Sequence, residues 1–174
     1  ANTAIFTAVD TLLPAPLPFR SPDGLMNVAL TIPAPGDPRP PDDMVWSWPK
    51  LEAFQQGQDA FSSLTAWSTT QYTVRLGDEA LRLWGEFVDS RYFTTLGIAP
   101  ALGRTMLPDE NRPGGPAVAV LSDALWRAAF DADTSAIGKV LRVDGAAYTI
   151  IGVAPPGFAG VGGQAQFWIP FLSS

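Results

Sequence analysis

The sequence predicts an α+β fold, with mixed and antiparallel sheets and short helices, arranged as one domain or two small lobes. The chain has 174 residues, which is too few for two ordinary domains but enough for a real core. Apolar residues make up 47% of it, which argues against disorder. Hairpin signals are mixed with short helical segments, whereas a doubly wound parallel sheet alternates strands with long helices.

The N-terminal part is dominated by proline. Residues 14 to 43 contain nine of the 17 prolines, so no helix is expected there. Leu25–Ile32 is a short apolar run and predicts a strand. A helix follows between Ser47, a candidate N-cap, and Gly57, a candidate stop.

A hairpin is predicted next. Residues Gln71–Leu76 alternate polar and apolar, Gly77-Asp78 supplies a turn, and Ala80–Val88 resumes a strand. Asp89-Ser90 then predicts the cap of a short helix, and Gly97 its end.

The C-terminal half contains the strongest turn signal. Ala117–Leu121 predicts a buried strand, and Ser122 predicts the N-cap of the helix after it. Lys139–Val143 and Ala146–Val153 flank Asp144-Gly145, a pair that suits a type I′ turn because both central residues there need positive φ.

The end of the chain predicts a loop and a last strand. Gly157–Gly163 (GFAGVGG) lacks the strand–GxGxxG–helix context of a dinucleotide site and predicts a flexible loop. Gln166–Phe171 predicts a strand, and Pro170 places it at a sheet edge, because proline cannot donate to a ladder.

Composition excludes several classes of function. The chain has neither cysteine nor histidine, which removes disulfides, thiol nucleophiles, His-based triads and Cys/His zinc sites. Its 11 basic residues form no run and its net charge is −6, so nucleic-acid binding is not expected. No cofactor or metal is implied.

Acidic residues offer only weak candidates for chemistry. Asp42-Asp43 and Asp109-Glu110 could pair for glycoside hydrolysis, but both lie in Pro-rich loops with no sign of a cleft. Asp131 and Asp133 lack the glycine and glutamate spacing of a calcium loop. Solvated loops are the favoured interpretation of all three, and no catalytic residue is assigned.

The six tryptophans divide into two groups. Trp67, Trp126 and Trp168 lie among apolar neighbours and predict core positions. The other three alternate with polar residues and are the candidate partner or substrate contacts: Trp46, Trp48 and Trp84.

Several stretches taken in order resemble the periplasmic core domain of MacB-like permeases, of the FtsX/LolC/MacB superfamily of ABC transporters. They are ANTAIFTAVDTLLPAPLPFRSPDGL, WSWPKLEAFQQGQDAFSSLTAW, GEFVDSRYFTTLGIAPALGRTMLPDENRPGGPAVAVLSDALWRAAF, VLRVDGAAYTIIGVAPPGFAG and FWIPF. The ordered set is far more specific than any one motif, and it runs over nearly the whole chain.

The resemblance implies a non-enzymatic extracytoplasmic domain of an inner-membrane protein. Residues 1–19 would follow a transmembrane helix, and residues 20–174 would form the core domain. Implied partners are a second permease subunit in a dimer, a cytoplasmic ABC ATPase and a periplasmic adaptor. The domain would couple ATP hydrolysis to export or extraction of a substrate. The alternative is a secreted glycan- or peptide-binding module that uses exposed tryptophan.

Overall fold

The computed structural model describes residues 24–28, 30–32, 42–44, 48–76 and 79–171. These residues group into two compact units, a smaller one with the described residues up to 62 and a larger one from 63 onward. The N-terminal segment 1–19 lies outside the described residues.

In the smaller unit, the described residues form a two-stranded antiparallel sheet and one helix. Strand β1 (Leu30–Ile32) pairs with β2 (Asp42–Met44), and α1 covers Trp48–Gly57. The strand predicted over 25–32 is therefore too long at its start, because residues 25–28 are not in a strand. Strand β2 was not predicted, since it is only three residues long and directly follows the Pro-rich run.

The described residues of the larger unit form seven strands and two α-helices. In chain order they are β3 (Trp67–Leu76), β4 (Glu79–Val88), α2 (Tyr92–Leu96), β5 (Leu102–Gly103), β6 (Val118–Leu121), α3 (Asp123–Phe130), β7 (Val140–Val143), β8 (Ala146–Val153) and β9 (Phe167–Pro170).

Six of these strands close into a barrel. The order is β8, β6, β9, β4, β3 and β7, and β7 pairs again with β8 through the hairpin. The β4–β9 and β6–β8 pairs are parallel and the others are antiparallel, so the sheet is mixed. Strand β5 adds to β8 beyond the part that β7 covers.

The barrel interior is apolar and tightly packed. Every second residue of each strand points inward, as the two-residue period of a strand requires. Gly85 leaves room for the ring of Phe167, because a Cβ there would collide with that ring. The cluster comprises Tyr72, Val74, Leu83, Ala119, Leu121, Leu125, Leu141, Val143, Tyr148, Ile150, Phe167 and Ile169.

Local signals predicted several boundaries correctly. Asp144 and Gly145 have φ of 47° and 88°, which confirms the turn with two positive φ values. The hydroxyl of Ser122 accepts the N–H of Leu125 at 3.1 Å and so caps α3. Gly97, with φ of 70°, ends α2 in the left-handed conformation.

Two further predictions were wrong. Strand β9 is central, between β4 and β6; Pro170 is tolerated because it is the last residue of the strand and β6 pairs only as far as Trp168. Asp89 does not cap α2 with its side chain. The N-cap is Arg91, and the Asp89 carboxylate accepts the backbone N–H of Arg91 at 2.6 Å.

Candidate functional site

The three tryptophans proposed as contact residues have different outcomes. Trp46 lies outside the described residues, and Trp48 begins α1 with its side chain outside the description. Trp84 lies on the outer face of the barrel, opposite Gln71 in β3, and is half-buried. A contact role for the three stays a prediction.

A buried carboxylate dominates the outer face of the barrel next to Trp84. Glu86 lies on β4, two residues after Trp84, and is 0% exposed. Its Oε2 accepts the hydroxyl of Tyr92 at 2.6 Å and Nε1–H of Trp168 at 2.8 Å. Its Oε1 accepts the N–H of Gly162 at 3.0 Å and the hydroxyl of Thr69 at 3.3 Å. Four donors from four segments therefore meet at one side chain, which is what a buried charge needs to be tolerated.

The glycine-rich loop is held down by this network. Besides the bond from Gly162, the N–H of Val161 donates to the hydroxyl of Tyr92 at 2.9 Å. Burial, and then the adjacent Glu86 carboxylate, raise the pKa of Tyr92 well above its ordinary value, so its hydroxyl remains a donor. The sequence predicted a flexible loop here and gave no indication of these bonds.

Gly160 shows why the loop needs glycine. It has φ of 78°, and a Cβ at this position would collide with both carboxylate oxygens of Glu86. The absence of a side chain lets the backbone approach the carboxylate closely. The glycines of GFAGVGG therefore serve packing against β4 rather than the binding of a phosphate.

Aromatic rings seal the network from solvent. Phe93 meets the Trp168 ring edge-on at 5.5 Å, and Phe158 stacks on it at 5.1 Å. Tyr92 meets Phe93 edge-on at 5.3 Å. Trp168 is thus a core residue, as predicted, whereas Trp67 and Trp126 are only half-buried.

A second carboxylate organises the loop after β5. Glu110 is 5% exposed and binds both terminal nitrogens of Arg104, at 2.9 and 2.5 Å, and the N–H of Leu107 at 2.8 Å. Burial pushes the pKa of Glu110 upward, but these hydrogen bonds and the guanidinium charge outweigh it and leave the pKa below its usual value. Glu110 is therefore a structural residue, and Asp109 beside it is exposed, so the two do not form a catalytic pair.

The remaining acidic candidates lie in a strand and in a turn. Asp42 and Asp43, predicted in a loop, are the first two residues of β2. Asp133 accepts the N–H of Ser135 at 2.8 Å and also bonds its hydroxyl, and these bonds lower the pKa of Asp133. Over the described parts of the chain, acidic side chains form no group that could hold a metal ion. Within those same parts, none of the helices has the length and apolar character needed to cross a bilayer.

Solved structures share this fold. The periplasmic region of MacB from Actinobacillus actinomycetemcomitans superposes with a TM-score of 0.57 at 17% identity, over 71% of this chain and 55% of that one. The extracellular domain of the noncanonic ABC-type transporter YknZ from Gram-positive bacteria also gives 0.57, at 21% identity, over 68% of this chain and 59% of that one. The fold is thus that of the external domains of these transporters.

The sequence comparisons define the family. A curated relative, the macrolide export ATP-binding/permease protein MacB of Hahella chejuensis, is 27% identical over 121 residues. That match covers 68% of this chain and only 18% of the relative. The family model of the MacB-like periplasmic core domain matches residues 1–174, and the chain belongs to this family.

Proposed function

We propose that this chain is the non-enzymatic extracytoplasmic domain of an inner-membrane ABC-transporter permease. It couples ATP hydrolysis on the cytoplasmic side to export or extraction of a substrate, through conformational change and subunit contacts. The observation that carries the proposal is the family match along all 174 residues. The name of the curated relative, which joins ATP-binding and permease, supports the transporter context.

The proposal assigns residues 1–19 to a membrane-proximal segment and residues 20–174 to the external core domain. The first segment is apolar and then broken by prolines, which suits a chain that leaves a bilayer and enters water. A second permease subunit, a cytoplasmic ATPase and a periplasmic adaptor are the proposed partners.

The rigidity of the larger unit supports the mechanical part of the proposal. A closed barrel with a packed interior resists deformation, because interiors at crystal-like density transmit strain rather than absorb it. The hydrogen bonds of the buried Glu86 also join β4 to β3, β9, α2 and the glycine-rich loop. A displacement applied at one end of such a unit would reach the other end.

Location is tested in the parent protein by thiol labelling. These 174 residues contain no cysteine, so an introduced one is the only thiol within them, and the parent protein without the substitution gives the background labelling. Ala124→Cys, on the exposed side of α3, should react with a membrane-impermeant maleimide in intact cells. Val74→Cys is the control, since Val74 is 0% exposed and should react only after unfolding. Labelling of Ala124→Cys only after lysis would contradict an external location.

Coupling is tested with the same variant. Spin labels on Ala124→Cys in the purified, reconstituted parent complex should give a label-to-label distance distribution that changes between the nucleotide-free and the ATP-bound states. An identical distribution in both states would contradict the mechanical role. Turnover of a substrate by the purified chain would contradict its non-enzymatic character.

A further inference from the structure

Three exposed arginines lie side by side on the barrel wall. Arg75 on β3, Arg82 on β4 and Arg142 on β7 occupy positions that alternate with core residues, so all three point outward. We call them the arginine face. Arg75 lies directly opposite Arg142, and Arg82 lies opposite Thr73, two residues from Arg75 on the same face.

This arrangement is unfavourable for the isolated chain. Directly opposed residues of an antiparallel pair have Cβ atoms about 4.5–5.5 Å apart, and like charges there destabilise the sheet. Nevertheless Arg75 and Arg142 occupy such a pair in a chain whose net charge is −6.

Among the described residues, no carboxylate forms an ion pair with these three arginines. The arginines that do form ion pairs in that part of the chain are Arg91, Arg104 and Arg127, none of which belongs to the face. The nearest carboxylate along β7 is Asp144, whose Oδ1 accepts the N–H of Thr73 at 2.8 Å.

Two further groups border the face. Glu79, the first residue of β4, lies opposite Leu76. It is three residues before Arg82, so the two residues belong to opposite faces of the strand. Within the described part of the chain, the side chain of Arg82 donates to the neutral side-chain oxygen of Gln71, at 3.4 Å.

The neighbours of the arginine face leave it open. Ala80, Ala147 and Thr73 are small and exposed, so they cover none of the guanidinium groups. Val140, next to Arg142 on β7, is 55% exposed, and Trp84 lies half-buried beyond Arg82 on β4. Arginine and tryptophan beside an apolar contact are the residue types that dominate protein–protein interfaces.

We propose that the arginine face docks an acidic segment of a protein partner. Guanidinium groups bind carboxylates with two parallel hydrogen bonds, and such a segment would neutralise the opposed pair Arg75 and Arg142. A lipid surface fits less well, because recognition of anionic headgroups usually takes clusters of about four to eight basic residues. The inference concerns a surface of this chain and does not depend on the domain moving as proposed above.

Binding of a model acidic peptide tests the proposal. A fluorescein-labelled peptide of alternating Glu and Thr should bind the 174-residue chain, and its affinity should fall as salt is raised. The twin peptide with Gln in place of Glu should bind at least about tenfold more weakly. Phosphatidylcholine vesicles containing phosphatidylglycerol serve as the lipid arm and should bind less than the acidic peptide.

Charge-matched variants separate the face from net charge. Arg75→Gln with Arg142→Gln should weaken peptide binding about tenfold or more. Arg112→Gln with Arg127→Gln removes the same charge from exposed positions elsewhere and should leave binding within about twofold.

Stability provides the readout that separates docking from a structural role. Arg142→Gln removes the like-charge contact, so its midpoint of thermal unfolding should be equal to or above that of the wild type. A lower midpoint would mean that Arg142 holds the fold and would overturn the proposal. Absence of acidic-peptide binding, equal losses in both double variants, or preferential binding to vesicles would also overturn it.

Discussion

Replacing Glu86 by Gln is the substitution that most sharply tests how α2 and the glycine-rich loop are held to the barrel. The indole N–H of Trp168 bonds Oε2 at 2.8 Å and the backbone N–H of Gly162 bonds Oε1 at 3.0 Å. Both groups can only donate. A Gln side chain has one oxygen and one NH₂ group, so in either orientation one of these two N–H groups faces another donor.

The expected loss follows from the two consequences of that mismatch. A hydrogen bond to a charged group contributes about 1.5–3 kcal/mol, and a buried donor left unsatisfied costs about 1–3 kcal/mol. The hydroxyl of Tyr92 can rotate to accept a hydrogen bond from the new NH₂ group, since a hydroxyl both donates and accepts. This rotation reduces the cost of the lost hydrogen bond to the charged group. We therefore expect Glu86→Gln to lower the free energy of unfolding by about 3 kcal/mol, near the upper end for a single change of this size.

Urea unfolding followed by far-UV circular dichroism gives this difference directly. Glu79→Gln is the matched control, because Glu79 lies on the same strand and is exposed, and its free energy of unfolding should change by less than about 0.5 kcal/mol. Hydrogen exchange at the Gly162 N–H should also accelerate in Glu86→Gln and not in the control. A Glu86→Gln protein as stable as the control, with the Gly162 amide still protected, would refute the description of Glu86 as the shared acceptor.

The other predictions concern close packing and pH. Gly160→Ala places a Cβ against the buried carboxylate at positive φ and should cost about 2 kcal/mol or more, whereas Gly157→Ala has open space at φ of 83° and should cost only about 1 kcal/mol in the same urea assay. Gly85→Ala should destabilise by about 1–3 kcal/mol through overpacking, and Phe167→Leu in the same chain should recover part of that loss. Glu110→Gln should destabilise by about 1–2 kcal/mol at neutral pH. Because the pKa of Glu110 is lowered on folding, this contribution is present above the unfolded value of about 4.3 and is lost as pH falls through the folded value, so unfolding curves of wild type and variant should converge in acid.

Turns and helix ends were predictable from the sequence because their causes are local. Asp144-Gly145 needs positive φ at two adjacent residues, Ser122 offers a hydroxyl to the first turn of a helix, and Gly97 adopts the left-handed conformation without strain. Each of these signals is read within about four residues. The predicted α+β class with mixed sheets is confirmed. It was predictable because the class follows from the number and order of such local signals along the chain.

Barrel closure and the buried carboxylate were not predictable in this way. Glu86 alternates with the apolar Phe87, so the pattern places it on the outer face of a strand, where a charged residue is ordinary. Only the return of the chain 76 and 82 residues later, with Gly162 and Trp168, buries it and supplies its donors. The same long-range parallel pairing moves β9 from the expected edge to the centre of the sheet.

The arginine face could not be predicted from the composition of the chain. Eleven basic residues without a run indicate no charged surface, and Arg142 is 60 or more residues away from Arg75 and Arg82 in the sequence. Pairing of β7 with both β8 and β3 is what sets Arg142 against Arg75. A local concentration of charge in an acidic chain is therefore a product of barrel closure. If barrel closure alone explained this contact, a neutral residue at position 142 would suit the fold at least as well and would leave peptide binding unchanged. If the arginine face docks an acidic segment, Arg142→Gln should bind the acidic peptide more weakly without a loss of stability. The binding result therefore distinguishes the two explanations.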